Sequence, residues 1–484
     1  MARGDDHNLL VISDLHLGEE LRAEVHDAAS FAELSLGLTS FLLHFAANPV
    51  GGRPWLLAIN GDMVDFLSVH LMPHQVRRVT GLPEEDHTWG LGTHPIAAVH
   101  KLRTVIAHHE QVFDALTRFV LAGNSVSIAV GNHDREFFWE EVQVALRQEI
   151  ERRGAALDPA AVLGGRVTFY TWFLYLPGLI WLEHGDQHDA YCSVDLVLDP
   201  RDGHDAFALE YNVGEAAMRY IANRLPDSPE SQQNQGFIRY IRLPFQRTER
   251  AAMLFAGYGQ LNLRMLAQWF DRMTRPAVYA ERRARHATLL DELAASQELN
   301  EQAVRFLDAA RTPPLYASLD ALVTSLMLGR FLLLLGGLFM VPATLIGLTW
   351  PLAPTVAGAS TLVAAALAAL LTARRPDPDP QDDMLAAAER IHGIVGVPFV
   401  VMGHSHAPVA KRLAHGGWYF NTGTWVGGRR APRNFTHLVL TRRDDGQHAA
   451  LCQWRDGQSW ELRAERSAPP FRPPWSDKVP KIAL

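Results

Sequence analysis

At 484 residues the chain is long enough for about three domains, or for one large domain carrying insertions. Its net charge of -8 argues against general nucleic-acid binding, which calls for a basic excess. The only cysteines, Cys192 and Cys452, exclude a disulfide framework and a cysteine-rich zinc site, and they suit a reducing compartment.

The N-terminus passes through Asp5 and Asp6 straight into an apolar run at 9–12, without a signal-peptide pattern, so the catalytic part is expected in the cytoplasm. The run reads as a strand followed by a loop. Asp14 and His16, two apart, share a face there and can offer a carboxylate and an imidazole to one ion. Taken alone, Asp-x-His is more often a helix cap followed by a surface histidine. Residues 24–45 carry apolar side chains at helical spacing (Phe31, Leu34, Leu36, Leu38, Phe41, Leu42, Phe45) and predict a helix packed on a sheet.

Residues 55–62 form the next strand pattern. Gly61 lets backbone approach closely, and the two oxygens of Asp62 can bridge cations roughly 3.5 to 4 Å apart. Asp65 reads as a loop acid or a support for the ligands. From 68 to 94 there is no clear period, and His70, His74, His87 and His94 read as substrate-loop or surface residues. A single helix is predicted over 96–121, with His108 and His109 as ordinary members of it.

The run at 127–130 delivers Gly131-Asn132-His133-Asp134. Asn132 offers a neutral oxygen ligand, and His133 can stabilise phosphoryl oxygens or protonate a leaving oxygen, with Asp134 orienting its ring. A plain turn capping a helix near Phe137 accounts for the same residues. After the apolar segment 172–182 comes His184-Gly185-Asp186-Gln187-His188-Asp189, in which Asp186 and His188 are candidates to support the ligands or touch substrate. Helical patterns dominate 206–310, chiefly 251–274 and 277–310. Arg239, Arg242, Arg247 and Arg250 read as a solvated face or as substrate contacts.

Residues 331–373 contain no Asp, Glu, Lys, Arg or His, and 350–354 divides them into two apolar arms flanked by Arg330, Arg374 and Arg375. This predicts a transmembrane hairpin with both ends cytoplasmic; a buried hairpin of a soluble domain and a helical oligomer interface are the alternatives. A linker at 374–380 and a helix at 384–394 lead to the strand at 397–402, which delivers Gly403-His404-Ser405-His406 with both imidazoles on one face. Residues 418–424 and 436–441 read as closing strands of a second sheet, followed by 449–454, and the tail from 468 reads as irregular.

The five blocks Asp14-Leu15-His16, Gly61-Asp62, Gly131 to Asp134, His184 and Gly403-His404-Ser405-His406 each follow a strand-like run. In content and order they resemble the calcineurin-like metallophosphoesterase family, over residues 9–183 and again over 397–443. The resemblance implies an α/β sandwich of two β-sheets flanked by helices, split between 1–200 and 395–467. Residues 201–325 are then a helical insertion, 326–375 the hairpin, 376–394 a linker and helix, and 468–484 a tail. It implies two divalent metal ions, Mn²⁺ foremost with Fe or Zn²⁺ open. Asp14, His16, Asp62 and His406 would hold one ion, and Asp62, Asn132, His184 and His404 the other. Hydrolysis of a phosphate ester or anhydride by a hydroxide formed between the ions would follow, with His133 and Asp134 catalytic.

The hairpin and insertion favour a phosphorylated, lipid-linked substrate at the cell membrane, with membrane lipids as partners and no nucleic acid. The UDP-2,3-diacylglucosamine pyrophosphatases resemble the chain more distantly, and they carry Arg where His133 stands. A soluble phosphodiester or phosphoprotein substrate remains open. So does a non-catalytic membrane scaffold on the same fold.

Overall fold

Strands β1 (Asn8–Ile12) and β2 (Trp55–Asn60) are buried along their whole length, so both of their faces must meet another layer. The computed structural model describes residues 7–22, 28–76, 82–224, 251–325, 380–426, 434–443, 446–463 and 481–483, and it meets that requirement with an α/β arrangement of two mixed sheets. Alternation decides which layer each side chain joins. Leu10, Ile12, Leu57 and Ile59 face helices, while Leu9, Val11, Leu56 and Ala58 face the second sheet.

The first sheet runs β13-β12-β11-β10-β1-β2-β3-β4, completed by β3 (Ser125–Ala129), β4 (Val167–Tyr170), β10 (Thr436–Arg443), β11 (Gly446–Arg455), β12 (Gln458–Arg463) and β13 (Lys481–Ala483). Strands β1 to β4 are parallel, and β10 closes antiparallel on β1 with Leu10 opposite Val439. The second sheet runs β5-β6-β7-β9-β8, from β5 (Phe173–Leu176), β6 (Ile180–Glu183), β7 (Phe399–Met402), β8 (Val409–Arg412) and β9 (Trp418–Asn421). Leu174, Leu182, Val401 and Phe420 of that sheet close the core between the two.

Helices cover the outer faces. On the first sheet lie α1 (Ala28–Ala47), α3 (Pro95–His108), α4 (Glu110–Leu121) and α5 (Glu140–Leu157), with the short α2 (Glu84–Trp89) before them. Leu34, Leu38, Phe41, Leu42 and Phe45 of α1 are buried as the spacing predicts, but Leu36 is 61% exposed. After α6 (Val213–Tyr220) come α7 (Ala251–Thr274), α8 (Pro276–Ser296), α9 (Glu301–Ala309), α10 (Leu319–Ser325) and α11 (Pro380–Val395). Of these, α8, α9 and α11 pack on the second sheet, while α6, α7 and α10 share a separate cluster built around Tyr220, Tyr316 and Met265.

Several expectations are corrected. Among the described residues no helix is long and apolar enough to cross a membrane, so the structure gives no support to the transmembrane hairpin or to the cell-membrane location expected from sequence. The 24-residue α7 has the length, but it carries Arg264, Asp271 and Arg272 and commits Leu254, Leu261 and Met265 to a protein core. The residues 326–375 assigned to the hairpin lie outside the described residues, as do Arg239, Arg242, Arg247 and Arg250. The helix predicted over 277–310 is two helices, because Asn300 accepts hydrogen bonds from the backbone of Gln302 and Ala303 and starts a new one. The helix predicted over 96–121 also breaks, at His109 (φ -107°, ψ 38°). Only β9 of the predicted closing strands belongs to the second sheet; β10 and β11 extend the first. In the tail expected to be irregular, β13 pairs in parallel with β12.

His437 on β10 is fully buried, with Nε2 2.8 Å from Ser459 Oγ, and burial pushes its imidazole from 6.5 down to about 3. Because the folded value is depressed, this contribution to stability is complete above pH 6.5 and is lost as pH falls toward about 3. Acidification from pH 7 to pH 5 is expected to lower the unfolding free energy by about 1–2 kcal/mol more in the wild type than in His437→Gln. Urea melts at the two pH values measure this, and equal losses in both proteins would assign the acid sensitivity elsewhere.

Candidate metal centre

Strands β1, β2 and β3 run parallel, as do β6 and β7, so each group delivers its following loop to one edge of its sheet. Hydrogen bonds stitch the two edges together. Asn60 Nδ2 donates to the Glu183 carbonyl (2.8 Å) and His404 N donates to Asp14 Oδ1 (3.1 Å), each between one sheet and the other. At the same edge Asp14 N donates to the Gly61 carbonyl (3.2 Å).

Seven residues singled out as ligands converge there. Asp14 Oδ1 lies 3.2 Å from His406 Nε2, which lies 3.1 Å from His16 Nε2. Asp62 Oδ2 lies 3.2 Å from His184 Nε2 and 3.7 Å from His16 Nε2. Asn132 Oδ1 lies 3.2 Å from His184 Nε2 and 3.0 Å from His404 Nδ1. The donor atoms of Asp14, His16 and His406 form one group within 4.8 Å, and those of Asp14, Asp62 and His184 form a second. Asp14 therefore stands between the groups as much as Asp62 does, a position the sequence suggests for Asp62 alone.

The backbone is shaped to bring these donors together. Asp14, His16, Asp62, His404 and His406 have φ between 46° and 63°, a region that non-glycine residues enter at a cost of about 1–3 kcal/mol each. A Cβ on Gly131 would lie 2.2 Å from Asp62 Oδ1, and one on Gly403 would lie 2.5 Å from Asp14 Oδ2, so glycine is required at both positions for steric reasons.

Asp14 and Asp62 are 0% and 1% exposed, and among the described residues their ion-pair partners are imidazoles alone. Burial pushes the Asp14 carboxyl up, but His184 and His406 outweigh it and hold the group below its ordinary value. Asp62 follows the same pattern more strongly, with His184 and His133 outweighing burial. In return Asp62 and Asp14 overcome burial at His184 and raise its imidazole well above the ordinary range. Two buried carboxylates whose only countercharge is imidazole protons suit divalent cations, which displace such protons on binding. Oxygen and imidazole donors without thiolate fit Mn²⁺, Fe or Zn²⁺. The group meets solvent at His404, His406 and Asp189, whose side chains are 8%, 13% and 20% exposed.

His133 sits beside this group. Its Nδ1 lies 3.1 Å from Asp65 Oδ1, its backbone N–H donates to Asp62 Oδ1 (2.8 Å), and its ring meets His16 edge-on at 4.6 Å. Asp65, not Asp134, therefore orients the imidazole. Asp134 instead accepts from the backbone N–H groups of Gly131 and Met63 (2.7 Å each), holding the Gly131 loop against the Asp62 loop. Burial, aided by the Asp62 charge, pushes its carboxyl up to about 7.

The two other supporting candidates make their hydrogen bonds away from the ligands, although the charge of Asp186 still reaches His184 and His404. His188 Nε2 pairs with Glu183 Oε1 (2.7 Å), and Asp186 accepts from Gln187 Nε2 (2.7 Å), its carboxyl raised by burial. The residue missed in that stretch is Asp189, whose Oδ2 lies 3.1 Å from His404 Nε2 and so fixes the ring with Nδ1 toward Asn132. Its acidity next to Gln187-His188 was visible in sequence, but the turn at 186–188 that swings it toward His404 was not.

Comparison with known proteins finds no family model and no curated protein that matches this chain.

Proposed function

We propose that the chain is a divalent-metal-dependent phosphoesterase that hydrolyses a phosphate ester or anhydride. The observation that carries this reading is the meeting of Asp14, Asp62, Asn132, His16, His184, His404 and His406, from five strand ends, with imidazoles as the only countercharge to the buried carboxylates among the described residues. Asp14, His16, Asp62 and His406 would hold one cation, and Asp62, Asn132, His184 and His404 the other. When bound, such cations supply Lewis acidity that neutralises phosphoryl oxygens and makes water a nucleophile near neutral pH.

The remaining work falls to the chain's own residues. Asp65 fixes the tautomer and direction of His133 through Nδ1, and the imidazole so held would donate a proton to the departing oxygen or a hydrogen bond to a phosphoryl oxygen. Asp189 holds His404, and Asp134 holds the loop carrying Asn132 and His133. With the carboxylates and imidazoles of the group read as ligands, the reading is direct attack by water without a covalent enzyme intermediate.

Protein loaded with Mn²⁺ is expected to hydrolyse bis-p-nitrophenyl phosphate, and chelation is expected to remove at least about 99% of that activity, restored on adding the ion back. Metal-replete protein that cleaves neither this diester nor p-nitrophenyl phosphate nor a pyrophosphate would overturn the reading.

A further inference from the structure

A second group of ligand-type side chains lies outside the candidate centre. Glu20, in the 3-10 turn Glu19–Leu21, places Oε1 2.6 Å from His109 Nε2 and 3.1 Å from His108 Nε2. The side chains of Glu20 and His109 are 8% and 1% exposed, while that of His108 is 48% exposed, so the group is closed on the protein side and open at one edge.

Three features bear on its purpose. Neighbouring side chains on an unbroken helix diverge by about 100°, yet the break at His109 turns both rings onto one carboxylate, with centroids 5.0 Å apart and planes at 84°. No glycine or proline stands in Thr104-Val105-Ile106-Ala107-His108-His109-Glu110 to force that break. Gly18 (φ 105°) presses the Glu20 turn against the last turn of α3, and a Cβ there would lie 2.8 Å from Val105 Cγ2. Lastly, both short contacts fall on Oε1 without hydrogen-bond geometry, so His109 Nε2, Glu20 Oε1 and Glu20 Oε2 are all buried with no hydrogen-bond partner among the described residues. An ion-paired trio alone would leave Oε2 desolvated at a cost of about 1–3 kcal/mol.

We infer that Glu20, His108 and His109 form an additional divalent-cation site, separate from the candidate metal centre, that fastens the turn following His16 to the α3–α4 break. Two imidazole nitrogens and one carboxylate suit Zn²⁺, with solvent completing the coordination on the His108 side. Ser35 Oγ, 2.9 Å from His109 Nδ1, supports the ring from behind, the kind of outer contact that fixes which nitrogen faces the ion. The turn also carries the hydrogen bond from Glu19 N to the His16 carbonyl (3.1 Å), so an ion here steadies the loop presenting His16.

The test uses the full chain, dialysed against Zn²⁺ and then against metal-free buffer, with bound zinc counted by mass spectrometry. Glu20→Gln and His108→Ala are each expected to carry one equivalent less than the wild type. The comparison holds whatever the candidate centre retains, since its ligands are unchanged in all three proteins. His108 is half-exposed, so His108→Ala is expected to keep the wild-type circular dichroism, and its zinc count is read only with that spectrum intact. Equal zinc in the wild type and both variants would overturn the site and leave an ion-paired trio.

Discussion

Asp62→Asn is expected to lower kcat/KM on bis-p-nitrophenyl phosphate by about a thousandfold, which is about 4 kcal/mol of transition-state stabilisation. The substitution barely changes volume, so the effect is electrostatic. One oxygen of Asp62 accepts from the His133 backbone N–H and the other faces His184 and His16, which places the carboxylate between both sets of donors. An amide keeps one acceptor oxygen but removes the charge, and it sets an NH₂ group against imidazoles or a cation. Bound metal is expected to fall together with activity, measured as equivalents of Mn²⁺ after gel filtration. Without the charge that raises it, His184 should also return toward the ordinary imidazole range, readable by NMR titration of metal-free protein. Activity within tenfold of wild type with full metal content would show that Asp14, which also stands between the two donor groups, suffices alone.

The ends of the strands were legible because their signals are short-range. An apolar run of four or five residues with Gly or Asp within the next three positions announces a buried strand delivering a loop, and β1, β2, β3, β6 and β7 all do this. What the sequence could not supply is which polar groups then meet. Asp65 and Asp134 both lie near His133, one of them next to it in sequence, and adjacency favoured Asp134. The fold chose Asp65, because the backbone N–H groups of Gly131 and Met63 claim both oxygens of Asp134. Asp189 and His404 are likewise 215 residues apart, and only the packing of α11 and β7 on the turn after β6 joins them. Breaks within helices were missed for a related reason. Neither His109 nor Glu298, which has φ 55°, is a helix-breaking residue type, and each break depends on a distant or capping partner. Hydropathy reads a different quantity, since an uncharged run reports that a segment avoids water and not what covers it.

His133→Ala is expected to retain the metal content of the wild type and to lose about 10²- to 10³-fold in kcat, the range for removing one positioned general acid or phosphoryl-oxygen donor. Its contacts separate the two outcomes. His133 offers its backbone to Asp62 and its ring to Asp65, so alanine keeps the hydrogen bond that orders the metal-side carboxylate and deletes only the imidazole. Asp65→Asn is the companion variant. It leaves the ring in place but exchanges a carboxylate, held well below its ordinary value by His133 and His16 against the effect of burial, for a group that can hold the wrong tautomer. The loss should be smaller than for His133→Ala, and the double variant should be worse than His133→Ala alone only by what Asp65 contributes at His16, whose Nδ1 lies 3.9 Å from Asp65 Oδ2. A substrate with a good leaving group, such as a p-nitrophenyl ester, needs less protonation of the departing oxygen than an alkyl ester does. If His133 acts as the acid, the alkyl ester should suffer the larger loss in His133→Ala. Equal losses would instead assign His133 to the phosphoryl oxygens, and wild-type turnover on both would remove it from the chemistry altogether.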